Sequence, residues 1–123
     1  MTDLAIVSRG DTILLSITLR KPAGSTTPYV NPGSLTAWMT LKRDPADSDA
    51  QAVWQGSTID GAIVLADALD SRFSVTVPAA ITVPLAAPTV LYWDVQVRES
   101  DGTITTVNDG RLPIQPDITR APP

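Results

Sequence analysis

Apolar and polar residues alternate along much of this chain. From Thr12 to Arg20, the apolar residues Ile13, Leu15, Ile17 and Leu19 are interleaved with Thr12, Ser16, Thr18 and Arg20, and only Leu14 breaks the rule. Successive side chains of a strand point to opposite faces, so this period of two predicts a half-buried strand. Leu35, Ala37, Met39 and Leu41 repeat the pattern against Thr36, Trp38, Thr40 and Lys42. Phe73, Val75 and Val77 alternate with Arg72, Ser74 and Thr76, and Leu91, Trp93, Val95 and Val97 with Tyr92, Asp94, Gln96 and Arg98. No segment carries a helical stripe, and β-branched residues are abundant.

Turn chemistry separates these runs. Glu99-Ser100-Asp101-Gly102 reads as a hairpin turn, because Gly accepts the positive φ such turns demand, and Asp60-Gly61 gives the same signal. A long loop follows the strand that ends near Arg20. Pro113 falls inside an apparent strand, which places that strand at an edge or bulges it there. Two stretches allow a single helical turn. Asp44-Pro45-Ala46-Asp47-Ser48-Asp49 offers a cap followed by Pro, and Ala79-Ala80-Ile81-Thr82 could turn once before Pro84. Roughly six to nine short strands with such breaks predict an all-β fold, an antiparallel immunoglobulin-like β-sandwich with at most short helical turns in its connections. The expectation is one domain over residues 1–123, with extended arms at 1–9 and 115–123.

Composition then narrows the chemistry. With 123 residues, 43% hydrophobic and 18% charged, the chain can bury a core without metal or disulfide. No apolar run approaches the roughly 18 residues of a membrane-spanning helix, and the first residues lack the pattern of a secretory signal. There is no Cys and no His, which removes disulfides, thiol nucleophiles, thiolate metal sites and the usual neutral-pH base. A net charge of −4 argues against nucleic acid, whose phosphates call for a basic patch. No cofactor is implied, and neither nucleic acid nor membrane is expected as a partner.

Three groups remain as candidates. Arg9-Gly10-Asp11 spells a cell-adhesion signal, yet it lies between two apolar stretches, where a bend between strands accounts for it. Asp44, Asp47 and Asp49, with Asp67 and Asp70 elsewhere, could offer oxygens to calcium. Their spacing lacks the Gly and terminal Glu of a helix–loop–helix site, and a solvated loop that caps a helical turn explains the same residues. Among the aromatics, Trp93 shares the parity of Val95 and Val97 and belongs to the core. Trp38 faces opposite Ala37 and Met39, so either it is covered by a second sheet or another subunit, or the Ala37 face is the outer one. Trp38 and Trp54 are candidate interface or carbohydrate-binding residues. No Gly-x-Ser-x-Gly elbow, phosphate loop or carboxylate pair is selected by spacing, so no catalytic residue is assigned.

The order of several short signals resembles a family of small structural proteins of tailed bacteriophages and prophages. The signals are Arg9-Gly10-Asp11-Thr12, Leu35-Thr36-Ala37, Leu41-Lys42-Arg43-Asp44-Pro45-Ala46-Asp47, Tyr92-Trp93-Asp94-Val95-Gln96-Val97, Asp101-Gly102-Thr103, Gly110-Arg111-Leu112 and Pro116-Asp117-Ile118-Thr119-Arg120. The chain is similar to the N-terminal domain of some phage baseplate upper proteins, with no fibre or receptor-binding region following. The resemblance implies a non-enzymatic component of the virion, made in the host bacterial cytoplasm. Its partners would be other phage structural proteins and copies of itself on the tail, baseplate, neck or capsid. Docking would use sheet edges and the terminal arms, with Ile114, Pro116, Ile118 and Arg120 added to the tryptophans as interface residues. A carbohydrate- or receptor-binding accessory module on the virion surface is the alternative.

Overall fold

The computed structural model describes residues 7–21, 27–29 and 31–116. Its strands are β1 (Val7–Ser8), β2 (Ile13–Thr18), β3 (Thr36–Lys42), β4 (Trp54–Ser57), β5 (Ile63–Asp67), β6 (Arg72–Val77), β7 (Thr89–Arg98) and β8 (Ile104–Gln115). One sheet has the order β1-β8-β7-β3-β4 and the other β2-β6-β5. Every pairing is antiparallel except the two-residue contact of β1 with β8. With β2, β6 and β5 in one layer and β3, β7 and β8 in the other, this is the strand arrangement of an immunoglobulin-like sandwich. The helical pieces are α1 (Ala79–Thr82) and single 3-10 turns at Pro32–Ser34 and Asp49–Gln51.

The alternating residues form the core. Ala37, Met39 and Leu41 of β3 and Leu91, Trp93, Val95 and Val97 of β7 meet Ile13 and Ile17 of β2 and Phe73, Val75 and Val77 of β6. Leu14, the exception in its run, is 75% exposed on the outer face. Trp93 is 4% exposed and its indole N–H has no partner, so this ring trades a hydrogen bond for packing. The choice left open at Trp38 is now decided: the Ala37 face is the inner one, and Trp38 lies on the outer face of the five-stranded sheet.

β8 obeys no single parity. Val95 stands opposite Asn108 while Gln96 stands opposite Thr106, so Val107 is an extra residue at a bulge. The inward residues are Val107 at the bulge and Gly110, Leu112 and Ile114 after it, odd numbers giving way to even. Pro113 is accommodated without a bulge of its own. The Gln115 carbonyl accepts from Arg9 N–H on the β1 side. Alternate residues of a strand share a side, so the nitrogen of Pro113 points away from β7, where no ladder bond is lost.

Several expectations need correction. Ile114, expected at an interface, is instead 1% exposed in β8, paired with Thr89 on one side and Val7 on the other. The two residues of β1 supply the backbone partners that keep β8 extended to Gln115, so 7–9 and 115 belong to the sandwich and are not free arms. Residues 1–6 and 117–123 lie outside the described residues. Asp60-Gly61 closes no hairpin. Gly61 has φ +86, as the turn requires, but β4 and β5 belong to different sheets and the turn carries the chain between layers. The helical turn expected from Asp44 starts instead at Ser48, which forms a capping box with Gln51. Glu99–Gly102 does close the β7–β8 hairpin, with Gly102 at φ +90 and its N–H donated to the Glu99 carbonyl.

Arg9-Gly10-Asp11 forms the crossing from β1 to β2 and is pinned in place. Asp11 N–H donates to the Ser8 carbonyl at 3.2 Å, and Gly10, at φ +89, donates its N–H to Thr82 Oγ1 at 3.0 Å. The Thr82 hydroxyl lies 2.9 Å from the Asp11 carbonyl and 3.1 Å from that of Ala79, either of which can take its proton. Thr82 is 1% exposed, so its side chain, carried on α1, acts as a buried clamp on this turn. At the opposite rim, Trp54 lays its ring over Gly56: a Cβ at position 56 would stand 2.3 Å from the Trp54 ring and 2.8 Å from Ala62 Cβ.

Thr82→Val keeps the shape and strands the Gly10 N–H. It is expected to lower unfolding free energy by about 1–3 kcal/mol in urea titrations. Gly56→Ala forces the Trp54 ring out of place and is expected to cost about 1–3 kcal/mol by the same measurement.

Candidate functional site

The outward positions of the five-stranded sheet form the candidate surface. Register fixes who stands beside whom. Trp38 on β3 is flanked by Ser57 of β4 and Gln96 of β7, Thr36 faces Arg98, and Thr40 lies between Gln55 and Asp94. The side-chain amide of Gln55 donates to Thr40 Oγ1 at 3.0 Å, and that of Gln96 to Thr106 Oγ1 at 3.2 Å. These bonds hold the polar side chains flat against the sheet and leave the indole of Trp38 between them, half-buried.

A groove of about 360 Å³ opens here, lined chiefly by Trp38, Gln55, Ser57, Ile59, Asp60 and Arg98. One of its walls is the β4–β5 connection. The Asp60 carboxylate accepts the N–H groups of Ser57 and Ala62, and Ser57 Oγ accepts those of Ile59 and Asp60. These local bonds fix the connection and leave Ile59 78% exposed above the groove. The groove thus combines one aromatic plate, one exposed aliphatic side chain, an amide, a hydroxyl, a carboxylate and a guanidinium. That set suits contact and hydrogen bonding.

A second hollow of about 170 Å³ lies further along the same face, among Thr40, Lys42, Pro45, Tyr92, Asp94 and Asp109. Asp94 and Asp109 are directly opposed on β7 and β8. Lys42 is turned towards the neighbouring loop, 3.0 Å from Asp49 and donating to the Asp47 carbonyl at 2.8 Å. Burial pushes the Asp94 carboxyl above its ordinary value; Lys42 opposes this, and Asp49 and Asp109 add to it.

The other acidic candidates are occupied by structure. Asp44 accepts from Ala46 N–H, Asp67 from Leu69 and Asp70 N–H, and Asp70 pairs with Arg20 at 2.5 Å. Among the described residues, no group of three or more Asp or Glu is placed to hold a metal ion. No catalytic constellation is found among them either.

Of the interface residues expected from sequence, Trp38 lies in the groove. Trp54 does not: it pairs with Leu41, which puts it on the inner face, partly buried against the core. Ile114 is in the core, Pro116 is exposed at the end of β8, and Ile118 and Arg120 lie outside the described residues. Gln55, Ser57, Asp60 and Arg98 were not singled out by the sequence. Parity alone places Arg98 on the face of Gln96 and Asp94, but only cross-strand register brings it to the groove.

No family model matches the sequence, and no curated protein does. Among solved structures the chain is similar to CopC from Methylosinus trichosporium OB3b. The TM-score is 0.47 and the sequence identity 15%, over 94% of this chain and 87% of that one.

A carboxyl whose folded pKa is raised favours the folded state while protonated, so its contribution is present below the unfolded value and is lost as pH rises through the folded one. Asp94→Asn is therefore expected to raise the melting temperature near pH 7, with the gain shrinking towards pH 3; thermal melts across that range check the sign.

Proposed function

We propose that this protein is a non-enzymatic structural module of a tailed-phage virion, docking on neighbouring structural proteins through the outer face of its five-stranded sheet. The observation that carries the reading is Trp38, half-buried in an open groove with a polar rim and held on β3, which is paired on both sides by β7 and β4. Aromatic anchors of this kind dominate binding at protein interfaces, while the rim supplies orientation. The resemblance at Arg9–Thr12, Leu35–Ala37 and Tyr92–Val97 supports the virion as the setting. In a symmetric particle many copies act together, so a modest contact per copy is enough. The net charge of −4 suits an outer position better than one against packaged DNA.

A saccharide is the second reading, favoured by the same groove, where the indole plate stands beside the side chains of Gln55, Ser57, Asp60 and Arg98. A sugar would stack on Trp38 and bond to those groups.

Trp38→Ala separates the two. On the docking reading the variant folds normally but is depleted from assembled particles, with about 2 kcal/mol or more of contact energy lost, roughly 30-fold in affinity. Normal incorporation with loss of signal on a glycan array would select the saccharide. Normal incorporation with no glycan signal from either protein would remove both.

A further inference from the structure

We propose that β2 is a docking edge for a second copy of this chain, the two copies pairing antiparallel about a two-fold axis at Ser16. The inference deepens the assembly reading and rests on it. β2 is an outer strand of its sheet, paired only with β6 among the described residues. The sequence Ile13-Leu14-Leu15-Ser16-Ile17-Thr18 has no charge and no proline, and its register with β6 runs without a shift from Ile13↔Val77 to Thr18↔Arg72. Folded proteins usually protect such an edge, because its unpaired backbone groups are a template for another strand.

The other edges are protected. β4 is four residues long and runs into the fixed Ser57–Asp60 turn. β5 is broken by a register shift between Leu65 and Asp67 and ends in that carboxylate. β8 carries Asp109, Arg111 and Pro113 and is capped by β1. β2 has none of these devices, and it exposes Leu14 at 75%.

The backbone directions fix the register. Leu19 N–H donates to the Ser71 carbonyl just before β6, so the backbone groups of Leu19 face β6. Alternate residues of a strand share a side, which turns Ile13, Leu15 and Ile17 to β6 as well. The N–H and C=O groups of Leu14, Ser16 and Thr18 then point to the open edge. Across an antiparallel pair, opposed residues share a face, so these residues must stand opposite one another for the apolar side to stay inside. Setting Ser16 opposite itself places Leu14 against Thr18 of the second copy and engages all of the outward groups. On the inner side it brings Leu15, half-buried at the rim of the core, against Ile17 of the second copy.

The symmetry closes the contact, since each copy uses on the other the one edge left unprotected among the described residues. A strand-to-strand contact of this length falls below the roughly 1,200–2,000 Å² of a stable interface, so pairing is weak in dilute solution and effective where copies are concentrated. The contacted strand is uncharged while the chain carries −4, so added salt screens the repulsion and strengthens the pairing.

The absence of cysteine from the chain makes a direct test available. At the two-fold axis, Ser16→Cys would face its own copy with Cα atoms about 5.5 Å apart, inside the disulfide range of about 4.4–6.8 Å. Ser74→Cys, exposed on the same face one strand further in, is the control. Under mild oxidation Ser16→Cys is expected to give disulfide dimer at least ten-fold faster than Ser74→Cys, faster still with added salt. Adding Leu14→Lys to Ser16→Cys should return the rate to that of the control. Equal rates for the two cysteine variants would overturn the proposal, as would amide exchange at Leu14, Ser16 and Thr18 that ignores protein concentration. If the cross-link fails but the Leu14→Lys chain still enters particles, only this edge is wrong. If the cross-link forms and the chain is absent from particles, pairing stands and the virion reading falls.

Discussion

The apolar faces of two sheets must be sealed against each other, and the placement of almost every other residue answers to that requirement. Met39, Leu41, Phe73, Val75, Val77, Val95 and Val97 are each at most 2% exposed, drawn in alternation from strands of both layers. At about 25 cal/mol per Å² of apolar surface removed from water, these side chains supply the main driving force for folding. Because alternate positions are committed inward, the intervening ones are released from the core. Trp38, Gln96, Asp94 and Arg98 are free to form a surface because Ala37, Met39, Val95 and Val97 hold the sheet.

A two-layer core also has to be crossed by the chain, and the crossings are where hydrogen bonds do the holding. The Thr82 hydroxyl serves the turn between β1 and β2, and Asp60 and Ser57 brace the passage from β4 to β5. Ser71, fully buried, binds both the N–H and the carbonyl of Tyr29 and so ties the loop after β2 to the start of β6. Each uses a short hydroxyl or carboxylate side chain that can reach a neighbouring backbone group. The Arg-Gly-Asp stretch belongs with these: its Gly supplies the left-handed turn and its amide is engaged by α1, which makes it a device of the fold.

The outer surface divides into two kinds of region. The five-stranded sheet presents polar side chains bonded to one another around an aromatic plate, a surface suited to a partner that brings its own side chains. The three-stranded sheet presents Ser16, Thr18, Ser74 and Thr76 with the exposed Leu14 and Val64, and ends in an uncharged backbone edge, suited to pairing strand to strand. Backbone pairing needs only parity and an open edge; side-chain docking needs register as well.

That difference also explains what was legible in the sequence. Period-two alternation fixed the inward faces of β2, β6 and β7, because each has one wet and one dry side, and Gly102 marked the hairpin because only a residue without Cβ turns there cheaply. Alternation failed at β8, where the bulge at Val107 reverses the parity halfway, and at Ile114, whose flanking prolines read as a tail until β1 supplied its partner. It could not say which face of β3 was covered, since Trp38 and Met39 are both apolar. Nor could it assemble the groove, whose residues come from β3, β4, the following turn and the end of β7. The sequence by itself determined the fold class and the inward sides of β2, β6 and β7, which depend on neighbours two residues apart. Tertiary structure decided the site, because register and sheet order join residues that lie far apart along the chain and leave no local trace in it.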